Sequence, residues 1–349
     1  MTAPELVDTA RRLVGEGKGL LAMDESNATC DKRFAAVGIP QTHEARCAYR
    51  EMLVTTPHLG DCISGVILYD ETIRQASPDG NPFVKVVRDA GIIPGIKVDT
   101  GAKDLAGFPG EKITEGLDGL RVRLAEYFQI GARFAKWRAV ISIGDGTPSR
   151  GCIDANAHAL ARYAALCQEA GIVPIIEPEV LMTGTHTMER CREVTEDVLR
   201  SVFTQLADQR VLLEGLVLKS NMALPGLDCG TQDAIEVVAD ATIKCLLHVV
   251  PAAVPGIAFL SGGQSGELAS ARLNAMNVQA KLPSSALPWP LTFSFARAIQ
   301  QPALQIWHGE HANRTAAQHA IYHRAQCDKA ALTGDYNSAL ERSNAFVTV

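Results

Sequence analysis

The chain has 349 residues, a net charge of −6, 47% apolar content and only 5% aromatic residues. This length allows one large domain or two average ones, and the low aromatic share points to an α/β interior packed with Ala, Val, Leu and Ile. An acidic chain is a poor non-specific binder of nucleic acid or anionic membrane, so any phosphate site has to be a local cluster of Lys and Arg. The nine cysteines are scattered, the nearest pairs (Cys47/Cys62 and Cys152/Cys167) lie fifteen positions apart, and no CxxC occurs. They read as reduced core residues, with neither a disulfide framework nor a structural zinc site. No apolar run reaches the ~18 residues of a membrane span. The opening MTAPELVDTARRLV reads as a helix and lacks the apolar core of a secretion signal. The expectation is a soluble protein of the cytosol, or of the stroma of a plastid.

Along the chain, short apolar runs recur: Gly19–Met23, Ile63–Tyr69, Ile92–Val98, Ala132–Trp137, Ile172–Ile176, Leu216–Leu218, Gly256–Leu260 and Leu291–Phe295. Stretches of helical composition, such as His158–Ala170 and Thr195–Asp208, separate them. Continuous apolar strands alternating with helices predict a parallel sheet covered on its faces. Eight such units, roughly thirty to forty-five residues apart, fit a (β/α)8 TIM barrel better than an open sheet. The competing doubly wound fold lacks its GxGxxG after the first strand, and Gly262-Gly263 comes too late to replace it. No linker or composition break interrupts the series. Residues 1–332 are therefore expected to form one barrel domain closed by a helical C-terminal region (Pro302–Leu332), and residues 333–349 a tail.

Charged residues end these strands. Asp24 closes the first and Lys97 the third, Lys136 and Arg138 flank Trp137 at the fourth, and Glu177 and Glu179 follow the fifth. Lys219 ends the sixth, Ser261 the seventh, and Arg297 lies just past the eighth. A single charge at a strand end is ordinarily a solvated loop residue. In a barrel, however, all these positions converge on the C-terminal rim, where active sites are built.

The residue types suggest the chemistry. Lys219 emerges from an apolar strand and, if the barrel closes, lies near Lys136 and Arg138; desolvation and neighbouring cations both favour a neutral amine. Such an amine attacks a ketone and forms an iminium, an electron sink. The competing reading is a core-edge lysine that snorkels outward. If the fifth strand runs far enough, Glu177 and Glu179 share a face, and one can shuttle the protons that carbinolamine chemistry requires. Ser261-Gly262-Gly263 and Arg297 match the phosphate corner of barrels. Lys97, Arg138, Lys32 and Arg33 form a second cationic pole, which suits a substrate phosphorylated at both ends. His308/His311 and His319/His323 have helical ligand spacing, but they fall outside the strand-end set, so no metal or cofactor is expected.

The strings GKGLLAMDESNATCDKRF, GIKVDTG, FAKWRAV, VPIIEPEVL, LVLKSNM, FLSGGQS and LTFSFARAIQ resemble, in order, the class I fructose-1,6-bisphosphate aldolases. The wording LAMDESNATC looks more like plastid-type and cyanobacterial members than animal ones. The resemblance implies a cofactor-free homotetramer of barrels, acting on phosphorylated sugars and associated with neither membrane nor nucleic acid. It assigns the Schiff base to Lys219, carbinolamine acid–base chemistry to Glu177 with Glu179 and Lys136 alongside, and C3–C4 cleavage to Asp24. It assigns the C1-phosphate to Ser261, Gly262, Gly263 and Arg297, and the C6-phosphate to Lys97, Arg138, Ser26 and Arg33. Two positions depart from the family pattern: Ala296 stands where a glycine is usual, and the chain ends AFVTV where the family ends in a proton-relaying tyrosine, Tyr336 matching an upstream segment. Sedoheptulose-1,7-bisphosphate duty, another Schiff-base aldolase or transaldolase, and a retired scaffold are the alternatives. The intact Lys219, Glu177 and Asp24 argue against the last.

Overall fold

In the computed structural model, which describes residues 1–282 and 287–342, eight parallel strands close into a barrel. They are β1 (Gly19–Ala22), β2 (Ile63–Leu68), β3 (Ile93–Lys97), β4 (Phe134–Ile141), β5 (Val173–Val180), β6 (Val217–Ser220), β7 (Ile257–Phe259) and β8 (Leu291–Phe295). Each corresponds to one of the expected apolar runs, and β1 closes the ring by pairing with β8 and β2. The barrel fold read from the alternation is therefore the fold observed. An antiparallel hairpin, Gly101–Asp104 with Lys112–Glu115, was not foreseen; it follows β3, and residues Gly101 and Ala102 line the rim cavity. Its polar, glycine-rich sequence carries no alternating apolar signal.

The inner face of the strands changes character with height because successive side chains alternate sides. Reading every second residue upward gives Leu20, Ala22, Asp24 from the first unit, Phe134, Lys136, Arg138 along β4, and Val173, Ile175, Glu177, Glu179 along β5. The lower layers are apolar and fully packed. Leu6, Ala10, Leu13 and Val14 of the helix Ala3–Val14 plug the barrel's base against Leu20, Ile93, Phe134, Val173, Ile175, Val217 and Ala258. That helix shows the capping box T-x-x-E, with Glu5 accepting from the Thr2 backbone N–H at 2.6 Å. The Phe134 ring fits only because β2 and β3 carry Gly65 and Gly95 beside it: a Cβ on Gly95 would lie 2.3 Å from the ring.

The C-terminal region begins earlier than its sequence suggested. A helix starts at Arg297 and runs to Trp307, and a second covers Arg314–Leu332. The segment read as a tail contains a short helix, Ser338–Arg342, held to the body by Arg324–Glu341 and by Tyr336, whose hydroxyl donates to Glu341 at 2.8 Å. The terminal AFVTV lies outside the described residues.

Candidate active site

A cavity of about 610 Å³ opens at the C-terminal rim, and of the fourteen rim residues singled out in the sequence all but Lys32 line it. A larger cleft, about 800 Å³, lies at the opposite end around Met1, Arg88 and Arg133; none of the strand-end charges reaches it, so the chemistry belongs to the rim.

The centre of the cavity is a buried chain of alternating charge. Lys136 Nζ lies 2.6 Å from Asp24 Oδ2 and 3.2 Å from Glu177 Oε2, and Lys219 Nζ lies 3.0 Å from Glu177 Oε1. All four residues are at most 8% exposed. The sequence placed Lys219 near Lys136; in the structure Glu177 stands between them, because two cations buried together require a counter-charge. Burial opposes ionisation of Asp24, but Lys136, Lys219 and Lys97 outweigh it and hold the carboxyl at about 2. Glu177 is likewise held below the ordinary range: burial raises it, and Lys136, Lys219 and Arg138 more than compensate. Lys136 is buried too, yet Asp24, Glu177 and Asp99 keep its ammonium above the usual lysine range.

β5 does continue through Glu179, so the two glutamates share the inner face. They are divided between cations: Glu177 takes Lys136 and Lys219, whereas Glu179 pairs with Arg138 on the neighbouring strand. The barrel register, which sets Arg138 opposite Glu177 and Val140 opposite Glu179, brings these strands' charges together.

Two cationic poles flank this centre. On one side, Gly262 and Gly263 follow Ser261 with φ of +56° and +89°, and Met182 Sδ fills the space a Cβ on Gly262 would need (2.6 Å). Gln264 ties the loop down through two donors to the Ser261 carbonyl, at 3.0 and 2.9 Å, and Arg272 in turn holds the Gln264 side chain at 2.8 Å. The Arg297 guanidinium lies beside Gly263, and among the described residues no carboxylate pairs with it. Ala296 lines the cavity with φ −109°, so the position does not require glycine's left-handed freedom.

On the other side the cations are less free than the sequence suggested. Lys97 binds Asp99 at 2.6 Å, Arg138 binds Glu179 and Arg33 binds Glu25. Lys32 is exposed and does not line the cavity. Ser26 caps the helix Asn27–Ala35, accepting from the Thr29 N–H at 3.4 Å, and both residues line the cavity.

Several lining residues went unread in the sequence. Ser294 Oγ is buried and, among the described residues, has no hydrogen-bond partner. Its signal was a second small polar residue, two positions after Thr292, in an apolar strand. Asp99 accepts from the backbone N–H groups of Gly101 (3.1 Å) and Arg138 (3.3 Å) and so joins the hairpin to β4. Thr29, Met182 and Leu227 also line the wall. The histidines at the C-terminus stay away from this cavity. His323 does approach Cys327 and Glu341, but Arg324 and Tyr336 already engage that carboxylate.

The chain matches the family model described as fructose-bisphosphate aldolase class-I over residues 5–348. It is 56% identical over 337 residues to a protein of Xanthomonas campestris pv. campestris named probable fructose-bisphosphate aldolase class 1, across 96% of this chain and 99% of that one. Cytosolic fructose-bisphosphate aldolase 5 of Arabidopsis thaliana is 49% identical over 343 residues, covering 98% of this chain and 94% of its own. Among solved structures, fructose-bisphosphate aldolase from Plasmodium falciparum, crystallised with TRAP and a small-molecule inhibitor, superposes with a TM-score of 0.93 at 44% identity over 96% of each chain.

Proposed function

The chain belongs to the class-I fructose-bisphosphate aldolase family, and from that premise we propose that it reversibly cleaves fructose 1,6-bisphosphate through a Schiff base on Lys219. The observation that carries the assignment of residues is the Lys219–Glu177 pair, 3.0 Å apart and buried. A proton passed from the Lys219 ammonium to Glu177 leaves a neutral amine beside a neutral acid. The amine attacks the C2 carbonyl, and Glu177 then returns its proton to the carbinolamine hydroxyl, which departs as water. In the iminium so formed, Asp24 takes the proton of the C4 hydroxyl. The C3–C4 bond breaks, its electrons flow to the iminium nitrogen, and glyceraldehyde 3-phosphate leaves. The remaining enamine takes a proton at C3 from water, and a second water hydrolyses the resulting iminium, releasing dihydroxyacetone phosphate and the free Lys219 amine. Lys136, between Asp24 and Glu177, keeps both carboxyls anionic until each is needed.

In this reading Ser261, Gly262, Gly263 and Arg297 hold the C1-phosphate, with Ser26, Arg33, Lys97 and Arg138 toward the C6-phosphate. The Lys219 iminium is the electron sink, and Glu177 and Asp24 move the protons of dehydration and cleavage, so the reaction calls for neither cofactor nor metal. We read residues 1–332 as the catalytic unit and 333–349 as its tail, and the protein as a cytoplasmic homotetramer, following the family. Borohydride reduction in the presence of dihydroxyacetone phosphate should fix a covalent adduct on Lys219, located by peptide mass spectrometry. An adduct that forms equally in Lys219→Ala would place the imine on another lysine.

A further inference from the structure

Gln300 lies one helical turn after Arg297 and is fully buried. Its side chain joins three parts of the molecule. Nε2 donates to the Ala22 carbonyl at 2.5 Å, where β1 ends two residues before Asp24. Oε1 accepts from Tyr49 Oη at 2.9 Å and from Arg33 Nη1 at 3.3 Å. The same Arg33 nitrogen also donates to Glu25, which Arg50 holds from behind at 2.8 Å.

Arg33 is thus anchored through one nitrogen, while its Nε and Nη2 are buried without partners among the described residues. A guanidinium carries its charge on a rigid planar fork, and Arg33 lines the cavity, so its placement governs the field that an anion meets at that wall. Arg297, at the opposite pole, starts the helix that carries Gln300. A single buried amide therefore ties the helix bearing one pole to the arginine of the other, with the strand end leading to Asp24 as the third point.

We propose that Gln300 is a positioning residue that sets the distance between the two anion poles, and so selects substrates phosphorylated at both ends. The proposal rests on the aldolase reading above. Gln300 does not touch substrate; it acts through Arg33.

The test compares kcat/KM for fructose 1,6-bisphosphate with that for a ketose carrying only the C1-phosphate. Gln300→Asn keeps an amide but withdraws Oε1 from Arg33, and Gln300→Met removes its polarity. Loss of a hydrogen bond to a charged group predicts that either variant lowers the bisphosphate preference about five- to tenfold, through KM and with kcat nearly intact. In an Arg33→Ala background, Gln300→Asn should change the preference no further. Tyr49→Phe breaks the same node without releasing Arg33 and should leave the preference within about twofold. Equal losses on both substrates, an additive loss on Arg33→Ala, or a Tyr49→Phe effect as large as that of Gln300→Asn would each overturn the proposal. If the unaltered protein cleaves neither sugar, the aldolase reading falls with it; if it cleaves both and the variants keep its preference, this inference alone is wrong.

Discussion

Lys136 Nζ sits 2.6 Å from Asp24 Oδ2, buried at the head of the barrel, and the same ammonium reaches Glu177 at 3.2 Å. One cation thus serves two carboxylates that have different tasks. Burial by itself would push both acids toward their neutral forms, and Lys136 is the strongest influence that prevents this for each.

Lys136→Met should therefore change the pH dependence as well as the rate. Without the ammonium, burial raises Asp24 from about 2, and the acid limb of kcat/KM should move upward by about one pH unit or more. Turnover should fall by about 10²-fold or more, while borohydride trapping at Lys219 persists. An acid limb that stays in place would show that Lys136 does not govern these carboxyls.

Arg138 and Glu179 form a pair at the cavity wall, so removing the arginine has two effects: a phosphate loses a donor and gains a nearby uncompensated carboxylate. Arg138→Ala should raise KM for the bisphosphate about tenfold or more over that for a C1-monophosphate ketose. Arg138→Ala/Glu179→Gln should recover part of that loss. Equal effects on both substrates would place Arg138 away from the C6 pole.

At the base of the barrel, the Phe134 ring occupies the space that a side chain on Gly95 would need, 2.3 Å away. Both residues are surrounded by packed strands, so neither can give way cheaply. Gly95→Ala should destabilise by about 1–3 kcal/mol, and Gly95→Ala/Phe134→Leu should be more stable than that single variant. The comparison is made by denaturant unfolding, and strictly additive losses would argue that the two sites do not share this volume.

Asp328 is fully buried between the helices Gly266–Ala280 and Arg314–Leu332. Its Oδ1 accepts from Ser270 Oγ at 2.5 Å and from Arg324 at 3.3 Å, and its Oδ2 has no partner among the described residues. Burial, resisted by Arg324 and Ser270, raises this carboxyl from 3.8 to about 6. A raised folded-state value means that stability is fully present below about 4 and is lost as pH climbs through about 6, a change on the order of 3 kcal/mol. Asp328→Asn does not titrate, so its melting temperature should gain on the unaltered protein between pH 4.5 and 7.5. Asp24 acts in the opposite sense, but only as pH falls below its unfolded value of 3.8 toward 2, outside that window. A constant offset between the two proteins would mean that Asp328 stays ionised throughout.

Most of the architecture was legible along the chain, because strand alternation is a property of covalent neighbours. Phe134, Lys136 and Arg138, or Val173, Ile175, Glu177 and Glu179, run from apolar to charged with a period of two, and that gradient marks both the inner face and the end at which the site lies. The C-terminal helical region was expected over Pro302–Leu332. In the structure Arg297 begins it and Pro302 sits within the helix. The hairpin Gly101–Asp104/Lys112–Glu115 was missed because short polar strands held mainly by backbone pairing leave little hydrophobic pattern.

What the sequence determined alone was the inventory: eight parallel strands, a charged rim, a lysine rising from an apolar strand and two groups of cations. What only the tertiary structure decided was the partnership among those charges. Glu177 separates Lys219 from Lys136, Glu179 belongs to Arg138, Lys97 is held by Asp99, and Gln300 links the helix of Arg297 to Arg33 across 267 positions of chain. These pairings follow from barrel closure and strand register, which align residues from different turns of the fold. A buried charge must then take whichever counter-charge that register sets beside it, and no local pattern in the chain encodes the choice.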